Sequence, residues 1–364
     1  MNQETYRKLI SGQSRGLVAV VGRFFLQIAA AGYSSAIGLR NFLYSSGRLK
    51  THHVNATIFS IGNITTGGTG KTPLVIWLYR FLNQKELRCA ILTRGYKTRT
   101  EGRETRDEGR ETKIDEPAIL AESCPQAKVV VNPDRIAGAI EAVNKFGANV
   151  LILDDGFQHR RLVRNIDIVA IDATRPFGYG KILPAGLLRE PPCSLKRADA
   201  IVLTRCDQTS EAQLSRIEEK LHLINPDLII TRSIHNPTCA KTVNGEEIAF
   251  DKLKGKKIFG FCGIGNPEAF FSTIKKLGAD LIDSKVYNDH HCYTGADMTD
   301  ICQKGRNLRA DYILTTQKDW TKIASLPLPP KGIPFAYVTI ELKFTAGEDN
   351  LKHLIEETLT GKIS

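Results

Sequence analysis

Gly67-Gly68-Thr69-Gly70-Lys71-Thr72-Pro73 follows an apolar run (Ile58, Phe59, Ile61) and precedes a helical pattern in which Leu74, Leu78, Phe81 and Leu82 share a face. Strand, glycine-rich loop and helix in that order make a phosphate cradle. Glycines tolerate positive φ and carry no Cβ, so backbone N–H groups can close on an anion. The helix start adds unpaired N–H groups and the positive end of its dipole. In a P-loop the lysine, here Lys71, reaches the β and γ phosphates, and the hydroxyl of Thr72 ligates Mg²⁺. Thr65, Thr66, Gly67, Gly68, Thr69, Gly70, Lys71 and Thr72 are therefore the candidate ATP-binding residues. Thr65 stands where the pattern G-x-x-x-x-G-K-[ST] has its first glycine. The plainer reading is a glycine-rich turn with a solvated lysine.

A second constellation is Val150-Leu151-Ile152-Leu153-Asp154-Asp155-Gly156-Phe157-Gln158-His159. An apolar strand ending in aspartate resembles a Walker B element, whose carboxylate meets the P-loop metal at the sheet edge. Neighbouring strand residues point to opposite faces, so Asp154 and Asp155 are expected to do different work. For Asp155 the plain alternative is a turn residue before Gly156. Arg94, in Thr93-Arg94-Gly95-Tyr96-Lys97, falls at the end of a strand, where open parallel sheets gather their ligands. Arg189 lies in the turn-rich stretch 176–191 and is a candidate anion ligand, or else a surface ion pair. Asp115, in Asp115-Glu116-Pro117 just before an expected helix over 118–122, reads by default as a cap. Asp289-His290-His291 invites a metal reading, but adjacent histidines cannot easily share one ion, so hydrogen bonding or proton handling is the better expectation.

The elements that must position these residues alternate as β and α along most of the chain, which points to an α/β fold with a mostly parallel sheet. The 364 residues, 42% hydrophobic, can bury a substantial core. An Asn244-Gly245 hairpin signal suggests a domain boundary just before Thr242. The expected organisation is a basic, apolar N-terminal segment over 1–50, a P-loop core over 51–240 and a smaller α/β domain over 241–364 that contributes to the cleft. Residues 97–116, rich in charge and poor in apolar positions, read as a mobile surface loop. Eight scattered cysteines without a C-x-x-C pair suit a reducing, cytosolic setting.

The net charge of +11 implies a face that meets anions. Within residues 1–50, seven basic side chains (Arg7, Lys8, Arg15, Arg23, Arg40, Arg48, Lys50) against Glu4 give +6 of that excess. The same segment holds the longest apolar tract, broken by Arg23 and Gln27, which argues against a secretory signal or a spanning helix. Val18, Val21, Phe25, Ile28 and Ala29 beside basic residues suit a helix lying on an anionic membrane surface, or one packed on the core. No interleaving of aromatic and basic residues marks a nucleic-acid surface, and no nucleic-acid partner is expected.

Taken together, these stretches resemble the tetraacyldisaccharide 4'-kinase family of lipid A biosynthesis over about residues 17–323. The resemblance rests on Gly62-Asn63 through Thr72-Pro73, on Thr93 to Tyr96, on Asp115-Glu116-Pro117 and on Asp154 to His159. It continues through Leu183-Pro184-Ala185-Gly186, Leu188-Arg189-Glu190, Phe261 with Gly263-Ile264-Gly265-Asn266-Pro267, Asp289-His290, and Thr315-Thr316 with Lys318-Asp319. It implies a P-loop NTPase-like sheet with helices on both faces and transfer of the ATP γ-phosphate to the 4'-hydroxyl of a lipid disaccharide 1-phosphate. The setting it implies is the cytoplasmic face of the inner membrane. By matching positions, Asp115 resembles the family's catalytic base and His290 its partner, while Asp154 and Asp155 resemble metal-site acids. Arg94, His159 and Arg189 resemble substrate contacts. The family's P-loop does not require the first glycine, which accounts for Thr65. This chain departs at Thr93 and Lys97, where the family usually has Ser-Arg-Gly-Tyr-Gly, and at Ile114, where it usually has glycine before Asp-Glu-Pro. A membrane-associated switch of the partition-ATPase kind has a similar loop, K-G-G-x-G-K-T, but Thr66 replaces its signature lysine.

Overall fold

The computed structural model describes residues 3–95, 115–289, 291–324, 326 and 332–361. In chain order its helices are α1 (Gln3–Ile10), α2 (Leu17–Ser45), α3 (Lys71–Asn83), α4 (Asp115–Ser123), α5 (Arg135–Phe146), α6 (Glu211–Ile224), α7 (Pro267–Lys276), α8 (Gly295–Asn307), α9 (Gln317–Ile323) and α10 (Glu348–Leu359). The strands are β1 (Thr57–Gly62), β2 (Cys89–Thr93), β3 (Lys128–Val131), β4 (Val150–Asp154), β5 (Ile166–Asp172), β6 (Ala200–Thr204), β7 (Ile229–Thr242), β8 (Glu247–Ile248), β9 (Lys257–Cys262), β10 (Asp280–Val286), β11 (Tyr312–Thr316) and β12 (Phe335–Ala346).

The chain forms two compact units, one from residues 1–94, 126–235 and 342–364, the other from 95–125 and 236–341. This differs from a single break before Thr242, because two segments cross over in sequence. The last helix belongs to the first unit: Trp77 of α3 donates to Glu348 at 3.2 Å and packs on Phe344, and Lys85 pairs with Glu356 at 2.6 Å. Helix α4 belongs to the second, where Glu122 accepts from Tyr337 at 2.7 Å and from Gln317 at 3.1 Å. The Asn244-Gly245 turn does form, joining β7 to β8 as an antiparallel pair.

In the first unit the strand order is β7-β6-β5-β1-β4-β2-β3, and the neighbours pair in parallel. Strands β2, β4 and β6 are buried at each position, which is why they read as continuous apolar runs and not as alternations. Helix α5 brings Ala139 and Ala142 onto Ile58, Leu92 and Leu151, while α6 brings Leu214, Ile217 and Leu221 onto Val169, Ile201 and Leu203. Helix α5 starts on Asp134, whose carboxylate accepts from the N–H groups of Ile136 and Ala137, and stops on Gly147 in the left-handed region. The register that matters most sets Ile61 of β1 beside Asp154 of β4. Phosphate loop and acidic pair therefore leave adjacent strand ends.

In the second unit β10, β9, β11 and β12 pair in parallel in that order, next to the second-unit part of β7. Helix α4 starts at Asp115, earlier than the expected 118, so Asp115 belongs to the first turn and not to a preceding cap. The side chains of Asp115 and Glu116, and the charged stretch 96–114, lie outside the described residues. Helix α2 is 29 residues long and, by length and composition, could cross a membrane. Its interruption by Arg23 is milder than the sequence suggests, because that guanidinium turns back to donate to the Ser14 carbonyl at 2.8 Å.

Candidate active site

Strand β1 ends at Gly62 because the turn after β4 passes directly over it: a Cβ there would lie 2.5 Å from Cβ of Phe157. From that contact the chain enters the loop. Thr65 bridges to Leu188, the N–H of Thr66 donates to the Leu187 carbonyl at 2.8 Å, and the N–H of Arg189 donates to the Ile64 carbonyl at 2.7 Å. The turn-rich stretch carrying Arg189 is thus stitched to the loop that carries Lys71. Gly67 and Gly70 have φ of 111° and 87°, conformations that favour glycine, and Gly70 is the residue from which α3 starts. Lys71 and Thr72 are its first two helical residues, where N–H groups have no partner within the helix.

The two aspartates occupy different surroundings, but not through strand alternation, because β4 ends at Asp154 and Asp155 lies in the turn beyond it. Asp154 is buried, accepts a hydrogen bond from Thr93 at 3.3 Å, and its carbonyl accepts from Arg135 at 3.3 Å. Asp155 has left the strand with φ of 53°. It faces two cations, Lys71 at 3.3 Å and Arg189, whose Nη1 reaches both carboxylate oxygens at 3.0 and 2.9 Å. Burial raises the Asp155 pKa, but Lys71 and Arg189 outweigh it and hold the carboxyl down at about 2. Thr72, Asp154 and Asp155, the residues the sequence offers as metal ligands, all carry oxygen donors, the chemistry that suits a hard divalent cation.

His159 follows on the same turn. Burial, then the charges of Arg135 and Arg94, push its pKa down to about 4, so it is a neutral imidazole near pH 7. Arg94 acts here through its field and is itself exposed. In the second unit Asp319 is fully buried and accepts from the Gly263 N–H at 3.0 Å and the Thr316 hydroxyl at 2.7 Å, while Asp289 pairs with Lys318 at 3.3 Å. The family-like segments of that unit thus meet beyond the carboxyl ends of β9 and β11. His290 lies outside the described residues, and its neighbour His291 contacts Asp297 at 3.2 Å and stacks on Tyr287.

Three residues absent from the sequence-level site hold the loop from behind. Thr204 donates to the Thr69 carbonyl at 2.9 Å, and Arg205 donates to the Gly68 carbonyl at 2.8 Å while pairing with Asp172. His235 packs against Gly70. The available signal was the one that singled out Arg94, a polar pair closing an apolar strand, here Thr204-Arg205 after β6.

The family model for tetraacyldisaccharide-1-P 4'-kinase matches residues 22–360. A tetraacyldisaccharide 4'-kinase of Syntrophus aciditrophicus is 36% identical over 348 residues, 92% of each chain, and one of Halothermothrix orenii is 35% identical over 334 residues, 87% of each. The crystal structure of LpxK from Aquifex aeolicus in complex with ATP superposes with a TM-score of 0.68 at 28% identity, covering 92% of this chain and 99% of that one. With the phosphate loop, the paired aspartates and the stitched Arg189 segment in place on a parallel sheet, these similarities place the chain in the tetraacyldisaccharide 4'-kinase family.

Proposed function

We propose that the protein transfers the γ-phosphate of ATP to the 4'-hydroxyl of a tetraacylated glucosamine disaccharide 1-phosphate, at the cytoplasmic face of the inner membrane. The observation that carries this reading is the Lys71–Asp155–Arg189 cluster at the end of β1 and β4, in a chain that matches the kinase family from 22 to 360. The same extent of similarity leaves the partition-type switch without support.

Loop N–H groups and Lys71 hold the triphosphate, and Lys71 exchanges its Asp155 partner for phosphate oxygens as ATP enters. Thr72, Asp154 and Asp155 would hold Mg²⁺ through their side-chain oxygens, and the ion would supply neutralisation of phosphate charge. Asp115, assigned by its position in Asp115-Glu116-Pro117, accepts the proton of the sugar hydroxyl, with His290 orienting it. Arg94, Arg189 and neutral His159 bind the acceptor, and Arg189 keeps a charge near the transferring group. The exposed apolar face of α2 rests on the anionic membrane surface that holds the acceptor's acyl chains.

The test is incubation with labelled ATP, Mg²⁺ and a lipid extract, followed by chromatography. A disaccharide lipid should gain label, and its absence with competent enzyme rejects the assignment. Asp115→Ala should lose turnover, by a factor of about 10² or more, while ATP affinity is kept; unchanged turnover removes Asp115 from the mechanism.

A further inference from the structure

We propose that Thr204 and Arg205, with His235 packed behind Gly70, are positioning residues for the phosphate loop, Thr204 and Arg205 turning the carbonyls of Thr69 and Gly68 away from the anion so that the loop N–H groups face it. The proposal rests on the reading of Gly67 to Thr72 as the ATP-phosphate site and adds residues that neither the motif nor the resemblance assigns.

A trans peptide unit is planar, with its C=O and the following N–H on opposite sides. Fixing the carbonyl of one residue therefore aims the N–H of the next. The Gly68 carbonyl is held by Arg205 Nη2 at 2.8 Å, which sets the Thr69 N–H on the other side. Thr204 Oγ1 holds the Thr69 carbonyl at 2.9 Å, which does the same for the Gly70 N–H. In this structure the Thr69 N–H closes a tight turn on the Gly67 carbonyl at 3.1 Å, and that is the donor a phosphate oxygen must recruit. A carbonyl turned inward would instead present partial negative charge to the triphosphate.

The holders are themselves fixed. Thr204 ends β6, is fully buried and lies in register with Asp172 of β5. Arg205 leaves that strand with φ of 57° and pairs with Asp172, so its fork is anchored at one arm and free to serve Gly68 with the other. His235 forms the third wall: a Cβ on Gly70 would come within 2.5 Å of its Nε2 and 3.2 Å of Thr204 Cγ2. That Nε2 is buried without a hydrogen-bond partner among the described residues. Burial and the charge of Arg205 keep the imidazole neutral, with a pKa near 3. A neutral ring adds no charge behind the loop and leaves a polar atom available to its backbone.

The test uses the full chain with Thr204→Val, which keeps shape and removes the hydroxyl, and Thr204→Ser, which restores it. ATP affinity is measured by calorimetry, kcat and KM for both substrates by steady-state assay, and Tm by circular dichroism. Losing the hydrogen bond to Thr69 should weaken ATP about tenfold with the KM for the lipid acceptor unchanged and the Tm lowered by no more than a few degrees, and serine should recover most of the loss. Arg205→Lys, which keeps the charge facing Asp172 but not the fork, serves as a second variant should valine disturb folding, and should likewise weaken ATP alone. Wild-type affinity in both variants overturns the proposal, as does a parallel loss of ATP affinity, acceptor KM and Tm. Wild-type protein that fails to bind ATP overturns the phosphate-site reading itself, a distinct result.

Discussion

Asp155 stays ionised because two cations face it, and His159 stays neutral because burial and two arginines oppose its charge; both states have a cost on the acid side. A histidine whose folded pKa lies below its ordinary 6.5 binds fewer protons folded than unfolded, so its contribution is fully present above 6.5 and is lost as pH falls. For His159 the window runs from 6.5 down to about 4. Within it, urea unfolding should show stability falling by about 1 kcal/mol per pH unit from this residue, and His159→Gln should flatten the slope by that amount. An unchanged slope would mean that His159 is protonated in the folded protein and that a positive, not neutral, group lines the turn. At this scale the sequence offers Lys71, Asp154, Asp155 and Arg189 as candidates because each sits in a motif with a mechanism, and in the structure Lys71 and Arg189 both meet Asp155. It did not disclose Thr204, Arg205 or His235, whose contacts with the loop are made by residues more than a hundred positions away.

Strand β1 and the turn after β4 touch through two residues without slack, Gly62 and Phe157, and that contact fixes the distance between phosphate loop and acidic pair. Phe157 is fully buried in the cluster with Val169, Ile171 and Leu188, so it has no room to withdraw. Gly62→Ala should therefore cost about 1 to 3 kcal/mol through overpacking and reduce kcat more than a surface glycine change of equal stability cost. Full activity with unchanged Tm would show that the turn can move and that its spacing is not set by this contact. Apolar runs and punctuation located most strands, because strands buried on both faces leave an unambiguous run. The exchange of segments between units was not legible, since nothing local in Ala118 or Leu351 says which sheet will receive it. That choice is made by tertiary pairs such as Glu122 with Tyr337 and Trp77 with Glu348.

For the molecule as a whole, the charge excess and the N-terminal helix act together. Sequence alone leaves the apolar face of α2 equally suited to the core or to a membrane, and in the structure one face of the helix is tied to protein while apolar residues from Leu17 to Phe42 stay exposed on another. On the tied face Tyr33 donates to the Arg189 carbonyl at 3.2 Å, and Asn41 at 3.0 Å and Arg40 at 3.4 Å hold the fully buried carboxylate of Glu190. Among the exposed residues Leu17, Val18, Phe24 and Phe25 are 80%, 88%, 59% and 64% exposed, and with Val21 and Ile28 they form a stripe at helical spacing. Inserting such side chains into the acyl boundary is worth about 1.5 to 3 kcal/mol each, while the flanking Arg7, Lys8, Arg15 and Arg23 add an attraction that salt screens. The two contributions are separable in a flotation assay with vesicles rich in phosphatidylglycerol. Wild-type protein should remain bound at about 1 M salt, because the apolar term survives screening. Val18→Glu with Phe25→Glu should bind only at low salt, and should retain kcat on an acceptor with short acyl chains in detergent, since neither residue reaches the Arg189 segment. Salt-resistant binding by the double variant would place the membrane contact elsewhere on the molecule. Loss of kcat in detergent would instead mean that the stripe supports the Arg189 segment through the helix, and that Tyr33 and Asn41 transmit membrane engagement to the site.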